Sequence, residues 1–404
     1  MPREYNIGAV TIFLAATALA AVPCPPELSA VANEIASVRH VPSPFSPPCR
    51  VIAAAQLHEE LDRKLRRDLP LDPTVFIEAL VRTSMVDGDP PALYQRLLDF
   101  YGSQVLGFYE PESDEMVLVS GSSAPAIASR MVWAHEVAHA AQEHRFHLPS
   151  RLLGIRHNGD AQRAASAIAE GEAMLVMTIL EAADSGVQLD LATAAEAMAA
   201  QARAFTPPEG IPAYFAGDLL FPYTAGFAAV SSAYRGGGWA AVDALLARPP
   251  ATTAALLYPR LPLTGPSIAD ADLPPVPPGW SEVLTDTLGA WGMRFWLSRA
   301  VPEIEADALA AAWDGDRIRL VRSRAAAGCW GLAWRVRCRS ENDRQALETA
   351  LQRHLPGLLA HLCPGAPNLG LTWISDGRTL EARAAWPQSA VRPPGRRQSP
   401  PLHQ

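Results

Sequence analysis

Residues 135–139 read His-Glu-Val-Ala-His, and this pentapeptide constrains the fold more than anything else in the chain. It lies within Ala126–Gln142, a stretch free of Pro and Gly and rich in helix formers. On a helix, positions i and i+4 share one face, so His135 and His139 can aim ring nitrogens at one metal ion, with zinc the ion this spacing suits. Glu136 is one residue on from His135, where it can serve a water at that ion as general base without being a ligand. The alternative is two solvated histidines on an ordinary helix. Met131-Val132-Trp133-Ala134 before the motif and Val137-Ala138 within it argue for a largely buried helix, and buried imidazoles need partners.

A catalytic zinc takes three protein ligands, so a third must come from elsewhere. The extended pattern HExxHxxGxxH fails, because positions 142 and 145 hold Gln142 and Arg145. His144 and His147 sit at unsuitable offsets and read as a polar helix end. Ala164–Leu180 is an almost wholly apolar helical run whose only charges are Glu170 and Glu172. A carboxylate there needs a metal or an Arg, such as Arg163, as partner. The two glutamates stand about 200° apart around a helix, so only one can face the zinc. Gly171 between them costs helix stability and suggests a close approach to the metal helix.

Composition bounds the rest. The chain has 404 residues with a formal charge of −8. That length suits two or three domains, and the charge argues against nucleic acid as a partner. An apolar run of sixteen residues, Ile7–Val22, is short for a spanning helix but suits a signal peptide ending near residue 20; an uncleaved N-terminal anchor is the alternative. No later segment is apolar enough to span a membrane, so the chain is expected to be exported: periplasmic, secreted or envelope-associated. Export permits disulfides. Cys24–Cys49 and pairings among Cys329, Cys338 and Cys363 all remain open, and the odd count leaves at least one cysteine without an intrachain partner.

The patterning suggests an N-terminal helical region (27–100), a core (101–258), a Pro-rich linker (259–279), a C-terminal α+β module (280–386) and a disordered tail (387–404). Within the core, Val105–Tyr109 and Met116–Val119 read as a β-hairpin, whose second strand can offer an edge to an extended peptide. Within the module, 280–313 reads as helical, followed by strands, a helix and a final hairpin. Trp330, Trp334, Trp373 and Trp386 could stack on a ligand or fill a core.

Three segments together resemble the gluzincins, the thermolysin- and aminopeptidase-like zinc peptidases. They are His135–His139, Glu170-Gly171-Glu172-Ala173, and Pro222-Tyr223-Thr224-Ala225-Gly226-Phe227. Gln104–Tyr109, Ala134–His147, Glu170–Ala173 and Gly237-Gly238-Trp239 add a likeness to uncharacterised exported bacterial members. The resemblance implies an α+β fold with a mainly helical zincin-like core and a small sheet. It implies Zn²⁺ held by His135, His139 and Glu170, Glu136 as general base, and Tyr223 as the donor to the oxyanion. Tyr214 and His157 are the fallback donors. A peptide or protein is then the substrate. Many gluzincins carry an Asp four residues after the ligand Glu, where this chain has Met174. That departure motivates the competing expectation, a zinc-stabilised binding or scaffold protein of the envelope without turnover.

Overall fold

The computed structural model describes residues 24–387 except 43–44, 121–125, 262, 266 and 367. The expected signal segment and the tail beyond Pro387 lie outside the described residues. The fold is α+β, mostly helical, with one small sheet and a separate C-terminal sheet.

Helix α1 (Glu27–Arg39) leads into strand β1 (Cys49–Ala53), and the Cys24–Cys49 disulfide ties the two together. Helices α2 (Ala54–Asp68), α3 (Pro73–Arg82) and α4 (Pro90–Gln104) follow. Asp72 and Asp89 start the latter two, each accepting from a backbone N–H of the first turn and each followed by Pro. An acceptor at the N-cap satisfies an orphan donor, and Pro at the first position gives up none.

Strands β2 (Gly107–Glu110) and β3 (Glu115–Ser120) form the expected hairpin. The sheet order is β1-β3-β2, with β1 parallel to β3. Strand β3 is therefore central, with Met116, Val117 and Leu118 buried. The expectation that it presents an edge is corrected: both its edges are paired, and β2 is the edge strand on the hairpin's side.

A helical layer comes next: α5 (Ala126–Phe146), α6 (Leu148–Gly154), α7 (Gly159–Ser185), α8 (Leu191–Ala204), α9 (Ala213–Phe221), a π-turn at Pro222–Gly226, α10 (Phe227–Ala247) and the single turn α11 (Ala254–Leu257). Helix α10 breaks at Gly237 and Gly238, the latter at φ +62°, a conformation open to Gly at little cost. Helix α7 is the hub. Ala167 joins the core shared with the C-terminal module. Ala173, Val176 and Leu180 join a second core with α1 and α5. Ile168, Ala169 and Leu175 join a third with α10. A helix apolar all round is a buried helix. Each fully buried Leu, Ile or Val contributes roughly 1.5–3 kcal/mol, against roughly 0–1 for a surface ion pair. Packing therefore holds α7 in place.

The C-terminal module comprises β4 (Trp280–Asp286), α12 (Gly289–Ser298), α13 (Glu303–Ala311), β5 (Trp313–Ser323), β6 (Trp330–Cys338), α14 (Glu341–Leu358), β7 (Thr372–Asp376) and β8 (Thr379–Ala384). Its antiparallel sheet runs β4-β5-β6-β8-β7. The stretch read as helical from residue 280 opens instead with a strand. Pairing with β5 overrides local propensity there. Trp330, Trp334 and Trp386 are buried in the core rather than displayed. Cys329 pairs with Cys363, and Cys338 is free and buried. The Pro-rich segment is pinned along the sheet: Thr264 donates to Asp314, Asp270 pairs with Arg317, and Arg319 donates to the Pro274 carbonyl.

Candidate metal centre

Helix α5 carries His135 and His139 one turn apart, and α7 brings Glu170 against them. The three ligand atoms lie within 4.8 Å of one another. His135 Nε2 is 3.0 Å from Glu170 Oε2, and His139 Nε2 is 3.5 Å from the same oxygen. The two Nε2 atoms are 3.1 Å apart. A carboxylate oxygen and two ring nitrogens meeting at one point favour a cation there. Without a metal, that cation is a proton. Burial disfavours the imidazolium of His139, yet the Glu170 carboxylate beside it prevails and raises its pKa to about 10. Burial would raise the Glu170 carboxyl too, but the facing imidazoles, His139 first, hold it well below the usual carboxylate range.

The surroundings of His139 fix its tautomer. Gln142 Nε2 donates to the Ala169 carbonyl, at 2.8 Å, and to Glu172 Oε2, at 2.6 Å. Both partners are acceptors, so the amide orientation is fixed and its Oε1 faces His139 Nδ1 at 3.0 Å. Nδ1 must carry the hydrogen, which leaves the Nε2 lone pair for a metal. Two imidazole nitrogens and one carboxylate oxygen are a ligand set that fits a divalent ion of zinc's type with a position left open.

Glu172 is buried and pairs with Arg39. Arg39 also pairs with Asp243, at 2.8 Å, and stacks on Trp239. Arg163, considered as a partner for the glutamates, binds Asp218 instead. Met174 packs in the third core, and the support for His139 comes from Gln142, on the histidine helix itself. Gln142 follows His139 by three residues and shares its face. That offset could have been read from the sequence.

Glu136 is not among the converging ligands. Its Oε2 accepts the backbone N–H of Tyr109 on edge strand β2, at 2.8 Å. Among the described residues its Oε1 has no hydrogen-bond partner. Tyr223 sits in the π-turn, its ring centroid 6.0 Å from that of His135. The Glu170 carboxylate, burial and Glu136 together hold its hydroxyl protonated well above the ordinary tyrosine range. π-turns inside helices are frequent at functional sites.

Gly171 makes this possible, by an approach other than the expected one. A Cβ there would lie 2.3 Å from the Gly226 carbonyl carbon, and a Cβ at Gly226 would lie 1.8 Å from Ala167 O. The close approach is between α7 and the π-turn, not between α7 and α5.

The fallback donors lie elsewhere. Tyr214 is buried, with its hydroxyl 3.4 Å from Arg163 Nη2. His157 is exposed, and its carbonyl accepts from Arg317. His144 faces Asp114 and His147 faces Glu143, away from the metal ligands.

Among the described residues no helix is long and apolar enough to cross a membrane. The two disulfides are compatible with an extracellular protein. Residues 278–385 match a family described as a domain of unknown function (DUF8575). No curated protein and no solved structure matches the chain. The family match covers the C-terminal sheet module and leaves the helices of the metal centre outside it.

Proposed function

We propose that the chain is an exported zinc metallopeptidase with a zincin-like core, in which His135, His139 and Glu170 hold Zn²⁺. The observation that carries this is the convergence of the three ligand atoms, with the carboxylate of Glu136 and the hydroxyl-bearing ring of Tyr223 beside them. When bound, zinc supplies Lewis acidity and lowers the pKa of water towards ~7.

The chain's own residues supply the rest. Glu136 takes the proton of the attacking water on Oε1 while the Tyr109 N–H holds Oε2 still. It then delivers that proton to the leaving amine. Tyr223 remains protonated across the working range and donates a hydrogen bond to the developing oxyanion. Edge strand β2 lies beside the centre through the Tyr109 contact to Glu136, and the groups of its free edge other than that N–H can align an extended peptide by strand addition.

Glu136→Gln tests the assignment. It is expected to bind one zinc per chain and to lose hydrolysis of a peptide library. Equal cleavage by wild type and variant would sink the role of Glu136. One bound zinc with no cleavage by the wild type would make the centre structural.

A further inference from the structure

We infer that Tyr109, Asp114 and His144 form a clamp that holds the Glu136 carboxylate in place, which makes all three positioning residues for the proposed hydrolysis. The inference rests on the peptidase reading and adds to it the groups that orient its base.

Glu136 has one hydrogen bond among the described residues: its Oε2 accepts the Tyr109 N–H, at 2.8 Å. That donor belongs to β2, an edge strand of four residues paired on one side only. Short edge strands open easily, and a base displaced by about 1 Å can lose about a hundredfold in rate. Something has to fix the donor relative to α5, the helix that carries Glu136.

The Tyr109 side chain does this. It is buried in the core shared with α1 and α5. Its hydroxyl donates to Asp114 Oδ1, at 2.7 Å. Burial and the Asp114 carboxylate hold that hydroxyl protonated far above the ordinary tyrosine range, so the bond persists through the neutral range. His144 Nε2 lies 3.2 and 3.1 Å from the two Asp114 oxygens. An imidazole nitrogen facing a carboxylate carries its hydrogen. His144 is on α5 itself, about 12 Å along the axis from Glu136. Phe45 packs edge-on against its ring, with centroids 5.2 Å apart.

One residue of β2 is thus tied to α5 twice. Its backbone is held at Glu136, and its hydroxyl is held through Asp114 at His144. Arg67 pairs with Glu110 and Glu112, and Arg50 with Glu115; these pairs tie the hairpin to α2 and β1, not to α5. Asp114 stands at φ +53°, a conformation that Gly adopts freely and most other residues avoid. Gly would serve a turn at that position, and Asp adds the acceptor that joins the tyrosine to the histidine.

The test uses the zinc-loaded full chain and reads two quantities. Exchange of the Tyr109 amide hydrogen reports the bond to Glu136, and kcat and KM for a cleaved peptide report catalysis. Tyr109→Phe keeps the buried ring and removes the hydroxyl. Asp114→Gly keeps the turn and removes the carboxylate. Each is expected to speed exchange at Tyr109 about tenfold and to lower kcat about tenfold at unchanged KM, with the β3 amides and zinc affinity as in the wild type. The half-exposed His144–Asp114 pair contributes less, so His144→Ala is expected to change both readings about threefold. His144→Gln restores a donor and is expected to return them to wild type. Unchanged exchange in both Tyr109→Phe and Asp114→Gly overturns the clamp, whatever is cut. Faster exchange with kcat unchanged, or with KM alone raised, overturns the positioning of Glu136. Faster exchange in the variants of a chain that cuts no peptide upholds the clamp on Glu136 and overturns the peptidase reading alone.

Discussion

At the residue scale, the centre is held by a relay that crosses three helices. His139 donates to Gln142, Gln142 donates to Glu172, and Glu172 pairs with Arg39 of α1. Gln142→Leu keeps the bulk of the side chain and removes the acceptor at Nδ1. It is expected to weaken zinc binding 10–100-fold, read by competition with a chromophoric chelator; unchanged affinity would discount the relay. The proton on the metal-free centre gives a second prediction. The folded pKa of His139 stands at about 10, above the unfolded value of ~6.5. Its contribution to the metal-free fold is therefore complete below about pH 6.5 and lost as pH rises through about 10. Zinc must displace that proton, so apparent zinc affinity is expected to rise about tenfold per pH unit between pH 6 and 9. Titration calorimetry at pH 8 in buffers of different ionisation enthalpy should register one proton released per zinc; no release would contradict the assigned protonation.

At the scale of elements, α7 and the π-turn make one unit through a pair of glycines. Gly226→Ala would drive its methyl into the Ala167 carbonyl. Overpacking against backbone is expected to cost about 3 kcal/mol or more and to displace Tyr223. Gly236→Ala is the control: its Cβ meets nothing within 4 Å, and Ala in a helix gains up to about 1 kcal/mol. Urea denaturation of the two variants should separate them in opposite directions; a near-neutral Gly226→Ala would refute the close-contact argument. These elements also mark what the sequence could express. His135, His139 and the buried run around Glu170 were legible because helical spacing alone sets their faces. The π-turn was not, because Pro222–Gly226 continues a helical pattern and only tertiary contact with Gly171 forces the wider turn. The strand β4 was not legible either: Trp280–Asp286 becomes a strand through its partner β5, whose paired residues, Ile318 to Ser323, lie far along the chain. Gln142 stood in plain sight, but its role depends on Glu172 and Ala169 arriving from α7 to orient its amide.

At the scale of the whole molecule, the module matched by the unknown family is built into the same core as the N-terminal helices. One apolar cluster runs from Ile52 of β1 through Leu97 of α4 and Trp291 of α12 to Leu380 of β8. Asp316 anchors the junction. Its carboxylate accepts the N–H groups of Leu288 and Gly289 at the start of α12 and the indole N–H groups of Trp313 and Trp334. Asp316→Ala would leave four donors stranded, two of them on buried tryptophans, at about 1–3 kcal/mol each. A loss of at least about 4 kcal/mol is a large share of a stability of roughly 5–15 kcal/mol, and chemical denaturation measures it directly. The shared core also decides whether the part with the candidate metal centre can stand alone. A chain ending at residue 277 would expose the apolar cluster that α3 and α4 share with Trp296, Leu297 and Trp313. It would also lose Leu284 and Ile318, which line a cavity of about 300 Å³ against α7. That truncation is expected to be proteolysed rapidly and to lack a cooperative thermal transition, even with zinc present. A protease-resistant, cooperatively folding fragment would show that the helical core closes on its own, and that the module is an attachment rather than part of the fold.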